Sequence, residues 1–294
     1  ELKIEKAIAF DMGGTTAKLV LIDDATPQQS RNLEVARAYR FLRGSGMPLR
    51  VPVIDLVEIG AGGGSLASVD TLGRVAVGPE SAGSEPGPAA YARGGTRPAV
   101  TDADLILGKI DPVGFAGGSI TLDLALSARA LDAHVGLPAG MDTRTAAIAV
   151  VEAVDENMAN AARVHATDNG AQLEGRTMIA FGGAAPMHAA RIAQKLSISR
   201  IIVPKGAGVG SAHGFLLAPV SYEAVRTRLI PLDLLDAAQM ETIVAAMRAE
   251  ARAVVDLGLP QGAALSEIVS VYMRYRGQGH EIMVTLDRMP PAEA

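Results

Sequence analysis

The residues best suited to chemistry stand near the start of the sequence, in Asp11-Met12-Gly13-Gly14-Thr15-Thr16. They separate the apolar run Ala7-Ile8-Ala9-Phe10 from Ala17-Lys18-Leu19-Val20-Leu21-Ile22. Two strands joined by a Gly-Gly turn make a hairpin. With no Cβ at the bend, main-chain N–H groups can point into one small space, and a phosphate can come within hydrogen-bond distance. The Thr15 and Thr16 hydroxyls add donors, and Asp11 at the strand end can hold Mg²⁺ directly or through water. Lys18 adds positive charge if its side chain faces the same way. Alone, the motif fits a hairpin turn with an Asp cap equally well.

A second candidate is Phe181-Gly182-Gly183-Ala184-Ala185-Pro186-Met187-His188. A strand ending in Gly-Gly at a helix N-terminus offers free N–H groups and the positive end of the helix dipole. An ordinary strand-to-helix turn, with Pro186 at the first helical position, has the same sequence. Pro204-Lys205-Gly206-Ala207-Gly208-Val209-Gly210-Ser211 superficially resembles a phosphate loop but lacks the Gly-Lys-Ser/Thr ending, which favours a packing role. The 5 histidines form no metal-binding spacing. His188, one turn past the second glycine bend, either neighbours a ligand or packs on its helix. No Gly-x-Ser-x-Gly elbow is present, which argues against a serine hydrolase.

The elements that must position these residues read as mixed α/β. The first hairpin is followed by an expected third antiparallel strand at residues 34–42. Strand-like residues 66–69 and 74–77 flank a turn at 70–73. Residues 101–104 read as a helix N-cap, 123–135 as a helix, and Asp142 as the cap of a long helix reaching about residue 166. Strand 177–181, helix 187–196, strand 201–204 and a helix within 206–217 follow. The pattern then gives a strand at 221–230, a helix at 237–257, and a closing hairpin from 268–276 and 281–286.

Composition narrows the class. Of 294 residues, 49% are hydrophobic and 20% charged, so a packed core is expected. With 3% aromatics and no Trp, that core must be aliphatic. A net charge of -5 without a basic stripe argues against nucleic-acid binding. The absence of Cys removes thiolate chemistry and disulfides and suits a cytoplasmic protein. No run reaches the ~18 apolar residues of a membrane span. The first residues, without an initiator Met, suggest a chain that begins inside a longer protein.

Together the two glycine motifs resemble the phosphate and adenosine motifs of the actin/hexokinase/Hsp70 superfamily. One branch is much closer: residues 10–18 resemble the D-M-G-G-T element of the hydantoinase A / 5-oxoprolinase family. Residues 59–70 (IGAGGGSLASVD), 77–95 (VGPESAGSEPGPAAYARGG), 100–111 (VTDADLILGKID), 181–189 (FGGAAPMHA), 203–217 and Arg274-Tyr275-Arg276-Gly277-Gln278 are similar to that family in register. The resemblance implies an actin-like (ribonuclease H-like) mixed sheet flanked by helices. It makes residues 1–294 one hydantoinase A-type domain of a longer chain, with 60–140 as a Gly-rich insertion or subdomain.

The implied activity is ATP-dependent hydrolysis of a cyclic amide such as hydantoin or 5-oxoproline, through phosphorylation of the substrate oxygen. A ketone carboxylase subunit and a non-catalytic binding or assembly module are the alternatives. ATP and Mg²⁺ are the implied cofactors. Asp11 and Asp102 are the catalytic candidates, with Asp11 also the metal ligand. Gly13, Gly14, Thr15, Thr16, Lys18, Gly182, Gly183, Ala184 and Pro186 are the cofactor-binding candidates. Asp104 opens the same helix as Asp102, where both face either the cleft or solvent; Glu80 and Arg93 are candidate substrate contacts.

Two departures from the family pattern matter. An earlier domain with its own D-x-G-G-T-x-T-D motif is missing, so half an ATP site is expected, with weak binding and no turnover by this chain alone. Lys18 stands where many members carry Asp, and it cannot ligate Mg²⁺. The implied partners are a small cyclic amide or ketone, a hydantoinase B-type second subunit and the missing N-terminal domain.

Overall fold

In the computed structural model, residues 4–36, 38, 44–260 and 262–286 are described. Strand β1 (Lys6–Met12) turns its buried Ile8, Phe10 and Met12 inward, as strand alternation requires. It pairs antiparallel with β2 (Ala17–Asp23), Met12 opposite Ala17 and Asp11 opposite Lys18. The Gly-Gly turn therefore closes the expected hairpin. On its other side β1 pairs in parallel with β9 (Thr177–Phe181), which sets Asp11 beside Phe181. The parallel strand β10 (Arg200–Ile202) extends the sheet beyond β9. The short β3 (Thr26–Pro27) and β6 (Leu56–Ile59) complete it on the β2 side. The result is a mixed six-stranded sheet.

The third strand differs from expectation. Strand β4 lies at Gln29–Val35 and pairs with β5 (Met47–Ile54) in a separate two-stranded sheet. Residues 37 and 39–42 of the expected 34–42 strand lie outside the described residues. The edge of β2 is taken by β6, whose Ile59 is buried in the core beside Ala17 and Leu19. Local alternation alone cannot rank two candidate strands for one edge.

The Gly-rich region forms the hairpin β7 (Ser65–Val69) and β8 (Val75–Ser81), then helices α1 (Val100–Ile106) and α2 (Leu124–Leu131). A π-helical turn (Asp132–Gly136) and the short α3 (Leu137–Ala139) follow. Ala61, Ala67, Val77, Val100, Ala103, Leu131 and Val135 pack in the same core as the central hairpin. The cap of α1 is Ala99 rather than a residue of 101–104; Asp102 sits at the third position and reaches back to the Ala99 N–H.

Helix α4 (Thr143–Asp168) starts at Asp142, whose carboxylate accepts from Thr145 N at 2.7 Å. Its buried face holds Ala146, Ala147, Val150, Val154, Met158, Ala159 and Ala162, so in a core without Trp the backbones approach through small side chains. Helix α5 (Ala185–Lys195) follows β9 and provides the crossover that parallel β10 requires. Arg191 and Lys195 on α5 bridge to Glu152 on α4 at 2.5 and 2.9 Å, and those bonds hold the Glu152 carboxyl down at about 2. Helix α6 (Gly210–Leu217) follows the third glycine loop.

By backbone contacts the chain divides between Leu216 and Leu217. The second unit contains helix α7 (Ala237–Val255), capped by Asp236, and the hairpin β11 (Val269–Met273) with β12 (Ile282–Leu286). Residues 221–230, expected as a strand, form no regular element, because the segment has no strand partner among the described residues.

The alanine seam predicts that Ala159→Leu will overpack the α4 interface and cost roughly 1–3 kcal/mol in urea denaturation. A loss below half that range would show that α4 does not depend on close approach there.

Candidate functional site

The bend after β1 is braced from below. Gly63 N and Gly64 N donate to Gly13 O and Gly14 O at 3.0 and 2.6 Å, and Gly13 N bonds Thr16 O at 3.1 Å. A Cβ on Gly62 would lie 2.7 Å from Gly13 O and Gly14 C, so the Gly-rich region must be glycine where it passes under the loop. The braces occupy carbonyls and leave amides. Among the described residues, the N–H groups of Gly14, Thr15 and Thr16 donate to no backbone acceptor. A pocket of about 120 Å³ opens here, lined by Asp11, Gly13, Gly14, Thr15, Thr16 and Lys18. Lys18 lines its rim and stands 4.0 Å from Glu58.

The second bend meets the first through backbone. Gly182 has φ +95°, and a Cβ there would sit 2.5 Å from Met12 O and collide with Asp11 Oδ1. Ala184 N donates to Met12 O at 2.9 Å. Gly183 faces open space. Gly182, Gly183, Ala184 and Pro186 thus adjoin the first bend without lining its pocket. Pro186 occupies the first turn of α5, where its missing N–H costs nothing.

The third glycine loop packs, and it also contributes. Ala207 O accepts from Gly182 N at 2.8 Å, propping the second bend. Ser211 Oγ donates to Asp11 Oδ2 at 2.9 Å, fixing the half-buried carboxylate at the pocket wall. Ser211 is absent from the sequence-derived candidates. Its signal was the polar residue that closes the GxGxGS run at the start of a helix.

Asp102 requires a correction. Its side chain is fully buried, and its carboxylate accepts from Ala89 N, Ala90 N, Ala99 N and Ser127 Oγ. Burial pushes its pKa up, against those bonds. It faces neither cleft nor solvent, and with its lone pairs engaged it organises the backbone of the Gly-rich region. Asp104 is equally buried and contacts His188. Glu80 pairs with Arg97 and Arg93 with Glu85, both on the surface. Neither Glu80 nor Arg93 lines the pocket.

Bound phosphate and Mg²⁺ would fit these residues in chemical type. The pocket offers unengaged amides and hydroxyls to an anion and a single carboxylate, Asp11, to a cation. Among the described residues no group of 3 or more His, Cys, Asp or Glu could hold a metal by itself. Asp11 therefore suits an ion held mostly by water and ligand oxygens, the usual habit of Mg²⁺.

A mixed α/β module with a braced glycine turn over a small polar recess defines the structural class. The sequence matches the Hydantoinase/oxoprolinase family model over residues 1–224, and the chain belongs to that family. It is 32% identical to the caprolactamase alpha subunit of Pseudomonas jessenii, over 96% of this chain and 40% of that one. It is 36% identical to the acetophenone carboxylase gamma subunit of Aromatoleum aromaticum, over 73% of this chain and 28% of that one. The solved ATP-dependent caprolactamase from Pseudomonas jessenii superposes with a TM-score of 0.73 at 31% identity, covering 97% of this chain and 40% of that one. A nucleotide-free acetone carboxylase structure shares the fold, with a TM-score of 0.77 at 23% identity over 98% of this chain and 41% of that one. The chain thus spans about two fifths of the length of the caprolactamase subunit it matches.

The two adjacent glycines separate structure from recognition. Gly182→Ala should lose about 1–3 kcal/mol in urea denaturation from its left-handed backbone and its contact with Met12. Gly183→Ala should stay within about 0.5 kcal/mol of wild type. Equal losses would contradict the geometry of the bend.

Proposed function

We propose that residues 1–216 form one phosphate-binding side of an ATP site in a larger enzyme that hydrolyses a cyclic amide. The carrying observation is the set of unengaged amides at Gly14, Thr15 and Thr16 around the recess, with Asp11 held at its wall by Ser211. Backbone dipoles fixed by the Gly63 and Gly64 braces stabilise phosphate charge without reorganising. Asp11 would hold Mg²⁺ through water, and Lys18 adds charge at the rim. Bound ATP would supply the phosphoryl group that, on the amide oxygen, opens the carbonyl carbon to attack by water; the C–N bond then breaks with the ring nitrogen leaving as the amine, and a second water releases the phosphate from the acyl group.

The recess supports the half-site reading by its size. About 120 Å³ is well below the ~300–1,000 Å³ of a complete small-molecule site, enough for part of a nucleotide only. In this reading the fold is actin-like, Gly183 offers the open face for the nucleoside, and an earlier domain supplies the opposing phosphate loop. The region 60–140 acts as a subdomain that braces the site. The relatives' names as alpha and gamma subunits support a second polypeptide; in this reading it is of the hydantoinase B type.

Amide hydrolysis is preferred because the caprolactamase subunit aligns over 96% of this chain. Ketone carboxylation is the second reading, favoured by the acetophenone carboxylase subunit at 36% identity. The deciding experiment measures ADP release by the full-length protein with its partner subunit, offering cyclic amides and ketones separately, with and without bicarbonate. ADP release with lactams alone supports the hydrolase; release with ketones only when bicarbonate is present supports the carboxylase. Asp11→Asn should lower turnover roughly 10²-fold. Gly183→Val should abolish nucleotide binding while leaving the fold intact. If neither variant alters nucleotide binding, the glycine bends serve only an interface. The isolated chain should bind nucleotide weakly and turn nothing over.

A further inference from the structure

His188 is fully buried, yet both ring nitrogens face carboxylates. Nδ1 lies 2.7 Å from Asp155 Oδ1 on α4, and Nε2 lies 3.1 Å from Asp104 Oδ2 on α1. A neutral imidazole has one N–H and would aim a lone pair at one of these oxygens; imidazolium donates to both. Lys109 Nζ stands 3.0 Å from Asp104 Oδ1, so two cations face two anions. That balance is what allows charges to stay buried. Burial opposes charge on His188, but the Asp104 and Asp155 carboxylates outweigh it and raise its pKa to about 9. Arg191 on α5 also feels the Asp155 charge.

The cluster lies one helical turn behind both glycine bends. On α1, Thr101 N and Oγ1 each donate to Gly63 O at 2.8 Å, and Gly63 N holds Gly13 O. Asp104 is one turn further along that helix. At the head of α5, Ala184 N holds Met12 O, and His188 is one turn further along. The helices whose N-termini grip the two sides of the Asp11–Thr16 bend are therefore tied together by one imidazole.

We propose that the Asp104–His188–Asp155 cluster is an ionic clamp that positions the two glycine bends relative to each other, with His188 acting as a positioning residue. Its effect on nucleotide affinity rests on the function proposed above; its effect on the bends does not. A clamp made by imidazolium is fully present below pH 6.5 and is lost as pH rises through about 9.

The test is hydrogen–deuterium exchange of the full-length protein with its partner subunit, alongside binding of a fluorescent ATP analogue. In His188→Gln, exchange at residues 12–16 and 182–186 should rise roughly tenfold while strands β11 and β12 keep their wild-type protection. Nucleotide affinity should fall by a similar factor, roughly tenfold. Wild type should lose affinity between pH 8 and 10, values bracketing the raised His188 pKa. In Asp155→Asn, which keeps an acceptor but removes a charge, the loss should begin at lower pH. Should His188→Gln fail to fold, Asp155→Asn carries the same comparison. Unchanged exchange at both bends, or an increase spread evenly over the core, overturns the clamp. Loosened bends in a protein that binds no nucleotide even as wild type uphold the clamp and overturn the ATP reading.

Discussion

At the end of β1 three backbones meet with no side chain between them. Met12 O accepts from Ala184 N, Gly13 O accepts from Gly63 N, and Gly182 passes against Met12 with a positive φ. The parallel pairing of β1 with β9 makes this possible, because it delivers Asp11 and Phe181 to the same level of the sheet. Backbone-to-backbone packing of this kind tolerates no Cβ and little error. It fixes polar groups at a distance set by covalent geometry rather than by rotamers. The turn around the recess is held in place for that reason, and in the proposed function donors so held lose least entropy when an anion arrives.

The rest of the molecule supports that junction from behind. The alanine face of α4 brings a long helix close to the sheet, and the buried ion cluster couples α4 to α1 and α5. Asp102 is a second buried charge in the same helix as Asp104, and it is spent on the backbone at 89–99. Two aspartates two residues apart on α1 thus do different structural work. One shapes the glycine-rich region, and the other ties that region to the helix behind the second bend.

Much of this was legible in the sequence where the signal was local. The Asp11–Thr16 hairpin, the long helix opened by Asp142, and the β9-bend-α5 unit follow from turn chemistry, capping and periodicity. What was hidden is what depends on distant partners. Alternation could not show that β6 would fill the β2 edge. Spacing could not reveal that Asp104, Asp155 and His188 would converge from three helices. Asp102 looked reactive because a carboxylate at a helix start after a glycine-rich stretch has the composition of a cleft residue; only the buried amides at 89, 90 and 99 show otherwise. Ser211 was hidden in the first turn of α6, behind a loop whose glycines suggested packing.

The recess also has a consequence for selectivity. In the proposed function, the main-chain donors of the recess meet every tetrahedral oxyanion with the same geometry, so sulfate, inorganic phosphate and the tail of any nucleoside triphosphate look alike to them. Nothing in the residues that line it reads a base or a sugar. In the proposed function, discrimination between purine and pyrimidine, or between reactant and spent product, therefore falls to surfaces outside the recess. Exchange of those surfaces among relatives would retune what is recognised without disturbing the anchor.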